Sequence, residues 1–329
     1  MKFWKAFYDE RTLAVLVLAS GIFIGLAVPA IADFLHPWAL PALFLVIVFS
    51  LVPFARLPVP ELFSITPEMT RIVLWQQVVL PCIVIAAGIV ARFPDSIILL
   101  MIVSACSGSL FSSPALAEIL QLDRQRALQA MVLSSLFMPV SLFLFLSAFR
   151  GTQANPDFVA YVMRTLVFLV IPFALLTAWR PIAKKMDEAT TLRVSFAARW
   201  ATIVALLVFG TGLMSVVSDR LASDPSKVLF LLVLAALLCG LMMGLTTIVM
   251  YRFGHREALT ASIVAGFRNI GLGFALVGEM LGSDLAVYAG ISLLPVFVAP
   301  LFLRFSLAAP TAGGSTGSPA SEPEPHSPY

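Results

Sequence analysis

The sequence predicts an all-α polytopic membrane protein: about ten transmembrane helices, arranged as two inverted five-helix repeats with discontinuous fourth and ninth helices. Three observations predict it. The 329 residues are 60% hydrophobic and 12% charged, whereas a soluble domain carries about 25% charged residues. The mean hydropathy is +0.98. Two of the long apolar stretches are interrupted by polar and glycine-rich residues, and they resemble one another in the order of their features.

Taken in order, Met1–Arg11 is a charged, aromatic lead-in, and no cleavable signal is expected because the apolar run after it is long enough to span. Spans near the ~20 residues a bilayer core requires are predicted at Thr12–Phe34, Pro37–Phe54, Arg71–Ala91, Asp95–Leu120 and Ala127–Phe149. A second set follows at Phe158–Trp179, Val194–Val217, Lys227–Tyr251, Ala258–Leu281 and Leu285–Phe305. The second span is short and rich in proline. Connections are short throughout, so residues 12–305 read as one transmembrane domain, with repeat one at about 12–150 and repeat two at about 157–305. Residues 306–329 are rich in Pro, Gly and Ser. Such a segment cannot bury a core, and a disordered cytoplasmic tail is expected.

Lys and Arg orient the spans. With a cytoplasmic N-terminus, the inside set runs from Lys2 to Arg304 and includes Arg56, Arg124, Arg126, Arg180, Lys184, Lys185, Arg193 and Arg199. The outside set is Arg92, Arg150, Arg164, Arg220 and Lys227, and Arg268 belongs to neither. The split is about three to one, which places both termini in the cytoplasm. The longest polar connection, Arg180–Arg193, puts its basic residues at the cytoplasmic headgroups. Odd-numbered repeats start on opposite sides and are therefore inverted. Cys82, Cys106 and Cys239 lie in apolar runs, so no disulfide framework is readable. The net charge of +3 specifies no partner, and no basic-aromatic surface suggests nucleic acid. The bilayer is the partner the composition implies; the oligomeric state leaves no trace in the sequence.

The stretch Ala261–Pro295 is long and apolar enough to span, yet its middle holds Gly266, Arg268, Asn269, Gly271 and Gly273. A guanidinium at mid-membrane depth costs roughly 2.5–3.5 kcal/mol on insertion scales, and a charge kept there faces a cavity or a partner. Each glycine weakens the helix by roughly 1 kcal/mol relative to Ala. Broken backbone inside a membrane is tolerated only where protein or water satisfies its polar groups. The earlier stretch Ser104–Pro139 breaks at Ser107, Gly108, Ser109, Ser112, Ser113 and Pro114. Its continuation runs parallel to the later one: Asp123 answers Asp284, and Pro139 answers Pro295. Two interrupted segments at corresponding places in two halves point to the binding site of a secondary transporter.

These residues resemble the bile acid:sodium symporter family, within a wider group that includes arsenite efflux permeases and auxin-type carriers. The resemblance covers Thr12–Phe305 and is strongest at Gly266–Leu272 and at Ser112-Ser113 followed by a helix and Asp123. It implies ten spans with fourth and ninth helices that unwind and cross, forming a core domain beside a panel domain. It also implies alternating-access uptake of a small organic anion, with Na+ as the usual coupling ion, in a bacterial inner (plasma) membrane. The family pattern in the ninth span reads Glu-x-Gly-x-Gln-Asn. Gly266 and Asn269 match it, Arg268 takes the Gln place, and the Glu place is the apolar Val264. Ser112 and Ser113 stand near the family's fourth-span Ser-Asn. Ser134 and Ser135 resemble its fifth-span hydroxyl ligands, and Gln76 or Gln77 its third-span Gln.

The departures alter the expected mechanism. The negative Glu is missing, and a fixed positive charge stands beside the ion position. Like charges about 4 Å apart repel by roughly 4 kcal/mol at an effective dielectric of 20, on the order of a thousandfold in affinity. Sodium coupling is therefore expected to be weakened or lost, with the guanidinium standing in for the ion. The other reading of Arg268 is a structural pair with an intramembrane carboxylate, for which Glu118 and Glu279 are the candidates. These two acids are also the candidate proton carriers, which leaves Na+ or H+ as coupling ions and implies no organic cofactor and no resident metal. Asn269, Ser112, Ser113, Gln77, Ser134 and Ser135 complete the candidate substrate and ion site; the packing alternative applies to each serine. Gln76 and Gln77 are adjacent on a helix, so at most one faces the site well. Cys106 stands where the arsenite permeases carry a Cys, although a lone buried Cys is usually a small hydrophobe. No catalytic machinery is readable: His36, His255 and His326 are the histidines, and no metal-binding pair or phosphate loop occurs. Enzyme and sensor readings recede; the alternatives are an ordinary sodium-coupled symporter and a metalloid or oxyanion efflux permease.

Overall fold

The computed structural model describes residues 10–58, 65–120, 122–150 and 158–308. The lead-in up to residue 9 and the tail from residue 309 lie outside the described residues. Every named element is helical. In order they are α1 (Glu10–Ala27), α2 (Pro29–Leu35), α3 (Ala39–Leu51), α4 (Pro67–Leu74) and α5 (Leu80–Val90). There follow α6 (Asp95–Cys106), α7 (Ser113–Ile119), α8 (Arg124–Arg150), α9 (Phe158–Thr165) and α10 (Ile171–Lys185). The chain continues through α11 (Glu188–Ser223), α12 (Pro225–Met250), α13 (His255–Gly266), α14 (Ile270–Leu281) and α15 (Ser283–Ala308). Single π-turns, Trp75–Val79 and Leu166–Val170, join α4 to α5 and α9 to α10.

Among the described residues six helical stretches are long and apolar enough to cross a membrane: Pro29–Phe54, Pro67–Val90, Arg124–Phe149, Phe158–Lys185, Glu188–Ser223 and Pro225–Phe253. This is the architecture of an integral membrane protein. Large apolar side chains such as Phe23, Val90, Leu237 and Ile248 face outward, as lipid contact requires. The expected fourth and ninth spans do not count among the six because each is cut into two short helices.

Boundaries shift for local reasons. The first two expected spans meet at Val28 and Pro29, not at His36, and the chain stays helical from Pro29 to Phe54. Proline is tolerated in a helix's first turn, so Pro37 merely tightens a 3₁₀ turn. The expected polar connection Arg180–Arg193 is mostly helix. α10 runs to Lys185 and α11 begins at Glu188, where the Asp187 carboxylate accepts from the Thr190 N–H at 3.3 Å. That cap holds the Asp187 pKa below the usual carboxylate range, chiefly through its hydrogen bonds to Thr190.

The core is continuous. α11 packs against α3, α1, α2 and α15, while α12 packs against α13 and α15. α6 lies against α5, α8 and α14. Polar ties fix this arrangement: Trp75 Nε1 donates to Thr246 Oγ1 at 2.8 Å, and the Tyr288 hydroxyl bonds Ser104 at 3.1 Å. At one end Arg126 gathers Glu257 at 2.6 Å, Glu68 at 2.8 Å and Asp123 at 3.0 Å, clamping the starts of α4, α8 and α13. Lys227 and Asp284, 2.6 Å apart, join the starts of α12 and α15.

Candidate functional site

The site is built from the two helix breaks. α6 stops at Cys106, and Ser107 turns extended (φ −56°, ψ 140°). Gly108 follows, and the chain becomes helical again at Ser113-Pro114, with proline in the first turn of α7. α13 stops at Gly266. Only Phe267, Arg268 and Asn269 are unwound before α14, whose first turn is capped by the Asn269 side chain accepting from Leu272 N–H at 3.1 Å. Each break leaves backbone donors and acceptors without a helical partner, and in hydrocarbon these must be met internally. The two breaks meet each other. Ser109 and Arg268 form an antiparallel bridge, Leu110 N–H donates to Phe267 C=O at 2.8 Å, and Asn269 N–H donates to Gly108 C=O at 2.8 Å.

The glycines divide into two kinds. Gly266 ends a helix, but Gly271 and Gly273 lie inside α14 and serve close packing instead. A Cβ on Gly273 would fall 2.7 Å from Ser107 Oγ. Gly108 is required similarly, since a Cβ there would fall 2.9 Å from the Ser135 Cα. α14 thus continues through two of the glycines beside Arg268, and the break falls at Phe267–Asn269.

Arg268 is 2% exposed. Its Nη1 donates to the Ser107 carbonyl at 2.8 Å and its Nη2 to the Gln76 carbonyl at 3.2 Å. Among the described residues no carboxylate pairs with it, and its Nε finds no acceptor. The Gln76 carbonyl is available for a covalent reason. Leu80 N–H bonds Trp75 C=O, the five-residue spacing of a π-turn. In that register the next donor, at position 81, would reach Gln76, and position 81 is a proline without an N–H. Pro139 likewise cannot donate to the Ser135 carbonyl one turn back in α8. Prolines thus free backbone oxygens in the helices that flank the crossing.

The predicted residues are placed as follows. Gln77 is committed to α8: its Nε2 donates to Ser134 C=O at 3.1 Å and its Oε1 accepts from Ser141 at 2.6 Å. Gln76 is the glutamine nearer the guanidinium, and its buried amide has no partner among the described residues. Ser134 Oγ accepts from Ser109 N–H at 3.1 Å, so it braces the break. Ser135 Oγ is buried and has no partner among the described residues. Ser113 shares a 2.8 Å hydrogen bond with Ser109, a residue that sequence reasoning did not single out for the site. Ser112 is exposed and faces a cleft, as do Arg268 and Asn269. Glu118 pairs with Arg124 at 3.2 Å and is about half exposed (45%), so it does not join the crossing. The Glu279 side chain, like His326, lies outside the described residues. Cys106 is fully buried at the end of α6. His36 bonds the Gly212 carbonyl at 3.1 Å, and His255 starts α13 against Tyr251. Among the described residues no cluster of His, Cys, Asp or Glu is suited to a metal.

The cleft measures about 530 Å³ including its open mouth. Leu43, Val46 and Ser50 of α3 line one wall, Thr202, Leu206 and Phe209 of α11 another, and Leu110–Ser112 with Arg268–Gly271 the floor. A smaller space reaches Arg268 from α12, beside Cys239 and Met242. Arg268, Ile270, Ser292 and Val296 border both spaces. An apolar space with a few converging polar groups is what a small-molecule site requires. Compared with protein-family models and with curated proteins, the chain matches none.

Proposed function

We propose that the chain is a secondary active transporter that moves a small organic anion across the membrane by alternating access. In this reading it is a divergent relative of the bile acid:sodium symporter family, with two inverted five-helix repeats, core and panel domains, and both termini in the cytoplasm. The cleft between α3, α11 and the crossing is the substrate site: apolar walls take the body of the solute, and Asn269 and Ser112 meet its polar end.

One observation carries the reading. Two broken helices exchange backbone hydrogen bonds in the bundle interior, and the buried guanidinium of the second break donates to the Ser107 carbonyl of the first and to the Gln76 carbonyl of a flanking helix. Carbonyl oxygens at a helix break are what a transported Na+ would otherwise coordinate. Here one such oxygen, that of Ser107, and the Gln76 carbonyl at the neighbouring π-turn hold a cation that is part of the chain. A second cation at about 4 Å would meet roughly 4 kcal/mol of repulsion at an effective dielectric of 20. Arg268 therefore performs structurally what the ion does in relatives, and sodium coupling is weakened or lost.

Proteoliposomes holding the full chain test this against a panel of organic acids, with sodium and pH gradients imposed separately. Uptake indifferent to sodium is expected, and an Arg268→Gln variant that gains sodium dependence would support the substitution argument. Sodium-driven uptake by the unaltered protein refutes it and returns the ordinary symporter reading. Transport of metalloid oxyanions in place of organic acids would favour the efflux alternative.

A further inference from the structure

Arg180 lies near the end of α10 and is only 7% exposed. Its Nε and Nη2 are buried and have no hydrogen-bonding partner among the described residues. A second arginine converges on the same place. Arg56 donates Nε to the Ala183 carbonyl at 3.0 Å and Nη2 to the Met186 carbonyl. Ala183 follows Arg180 by three residues and is equally buried, so the two share a helix face, and Arg56 reaches the backbone at the end of that helix. Lys184, one turn on from Arg180, is exposed beside them. No carboxylate pairs with Arg56, Arg180 or Lys184 among the described residues; the adjacent Asp187 is engaged in capping α11. Trp179 packs on the core next to Arg180, and tryptophan favours the headgroup level of a bilayer.

A buried guanidinium with two idle donors is unfavourable unless a partner arrives. The planar fork of Arg suits phosphate oxygens, and basic pockets between helices at the membrane surface take acidic headgroups. We infer that the end of α10 is a binding site for a phosphate-bearing anion, held by Arg180 with Arg56 and Lys184. The site is separate from the helix crossing and from the cleft, neither of which these residues line.

Spin-labelled phosphatidylglycerol and phosphatidylcholine, compared at the surface of the full chain in phosphatidylcholine vesicles, test for a lipid source. The unaltered protein is expected to prefer phosphatidylglycerol, and Arg180→Gln to lose about tenfold of that preference, the scale of one charge-assisted hydrogen bond. Arg193→Gln removes the same charge from an exposed position on the next helix and should cost no more than about twofold, because exposed charges are screened. Inorganic phosphate added to detergent-solubilised protein tests for a soluble source. A rise in melting temperature that Arg180→Gln abolishes assigns the site to a free phosphate compound. Arg180→Lys, which keeps the charge and loses the fork, serves if the Gln variant does not fold. Equal lipid preference in all variants, together with no phosphate effect, overturns the site.

Discussion

Among the described residues two arginines are buried, and they are buried differently. Arg268 sits in one of two paired helix breaks with two of its nitrogens on backbone carbonyls; Arg180 sits near a helix end with two buried nitrogens that find no partner among the described residues. The first is held by groups that the fold itself exposes, through a proline at position 81 and an extended residue at Ser107. The second is held by packing alone. The difference separates a charge that completes the structure from a charge that the structure leaves available. Arg268→Ala should therefore be the most damaging change. It strands the Ser107 and Gln76 carbonyls, each at about 1–3 kcal/mol, for a loss of about 4 kcal/mol. Arg268→Lys, which reaches one carbonyl at a time, should lose about half of that. Thermal unfolding in neutral detergent measures both, and an unaffected Arg268→Ala would place the guanidinium outside the structural tie.

The crossing also depends on close approach. Gly108→Ala drives a methyl group against the Ser135 backbone in α8. Overpacking of this kind costs about 1–3 kcal/mol. It should weaken the Asn269-to-Gly108 hydrogen bond as well, visible as faster amide exchange at Asn269. Asn269→Ala removes the cap of α14, with an expected loss of about 1 kcal/mol. If Gly108→Ala is tolerated while Asn269→Ala is not, the cap and not the paired breaks holds the crossing together.

Both breaks are legible in the sequence because Ser-Gly-Ser before Ser113-Pro114, and Gly266 before Asn269, are poor helix formers beside good capping residues. Which glycines break the helix is not legible. Gly271 and Gly273 are explained only by Phe209 and Ser107, which arrive from distant segments. The sequence offers carboxylates as partners for Arg268, whereas the structure supplies carbonyls, which leave no mark on a sequence. Pro81, five residues beyond Gln76, was the available signal. It leaves the Gln76 carbonyl for the guanidinium, while the Gln77 side chain is spent on Ser134 and Ser141. Arg180 was counted only as a basic residue near the headgroups. Its burial depends on a helix that continues to Lys185 and on Arg56 reaching across from another segment, and neither follows from local composition.

The smallest expected effect is the sharpest test of the contrast. Arg180→Leu keeps most of the side-chain volume and discards a charge that no protein group compensates. Replacing a buried charge by an apolar group of similar size is often neutral or stabilising. In neutral detergent, without anionic lipid or phosphate, the variant should melt at or slightly above the unaltered protein, with a gain of up to about 1 kcal/mol. Adding phosphatidylglycerol should then stabilise the unaltered protein and leave the Leu variant where it was. A loss as large as that of Arg268→Ala would mean that Arg180 is also a structural tie, and the two buried arginines would belong to one class.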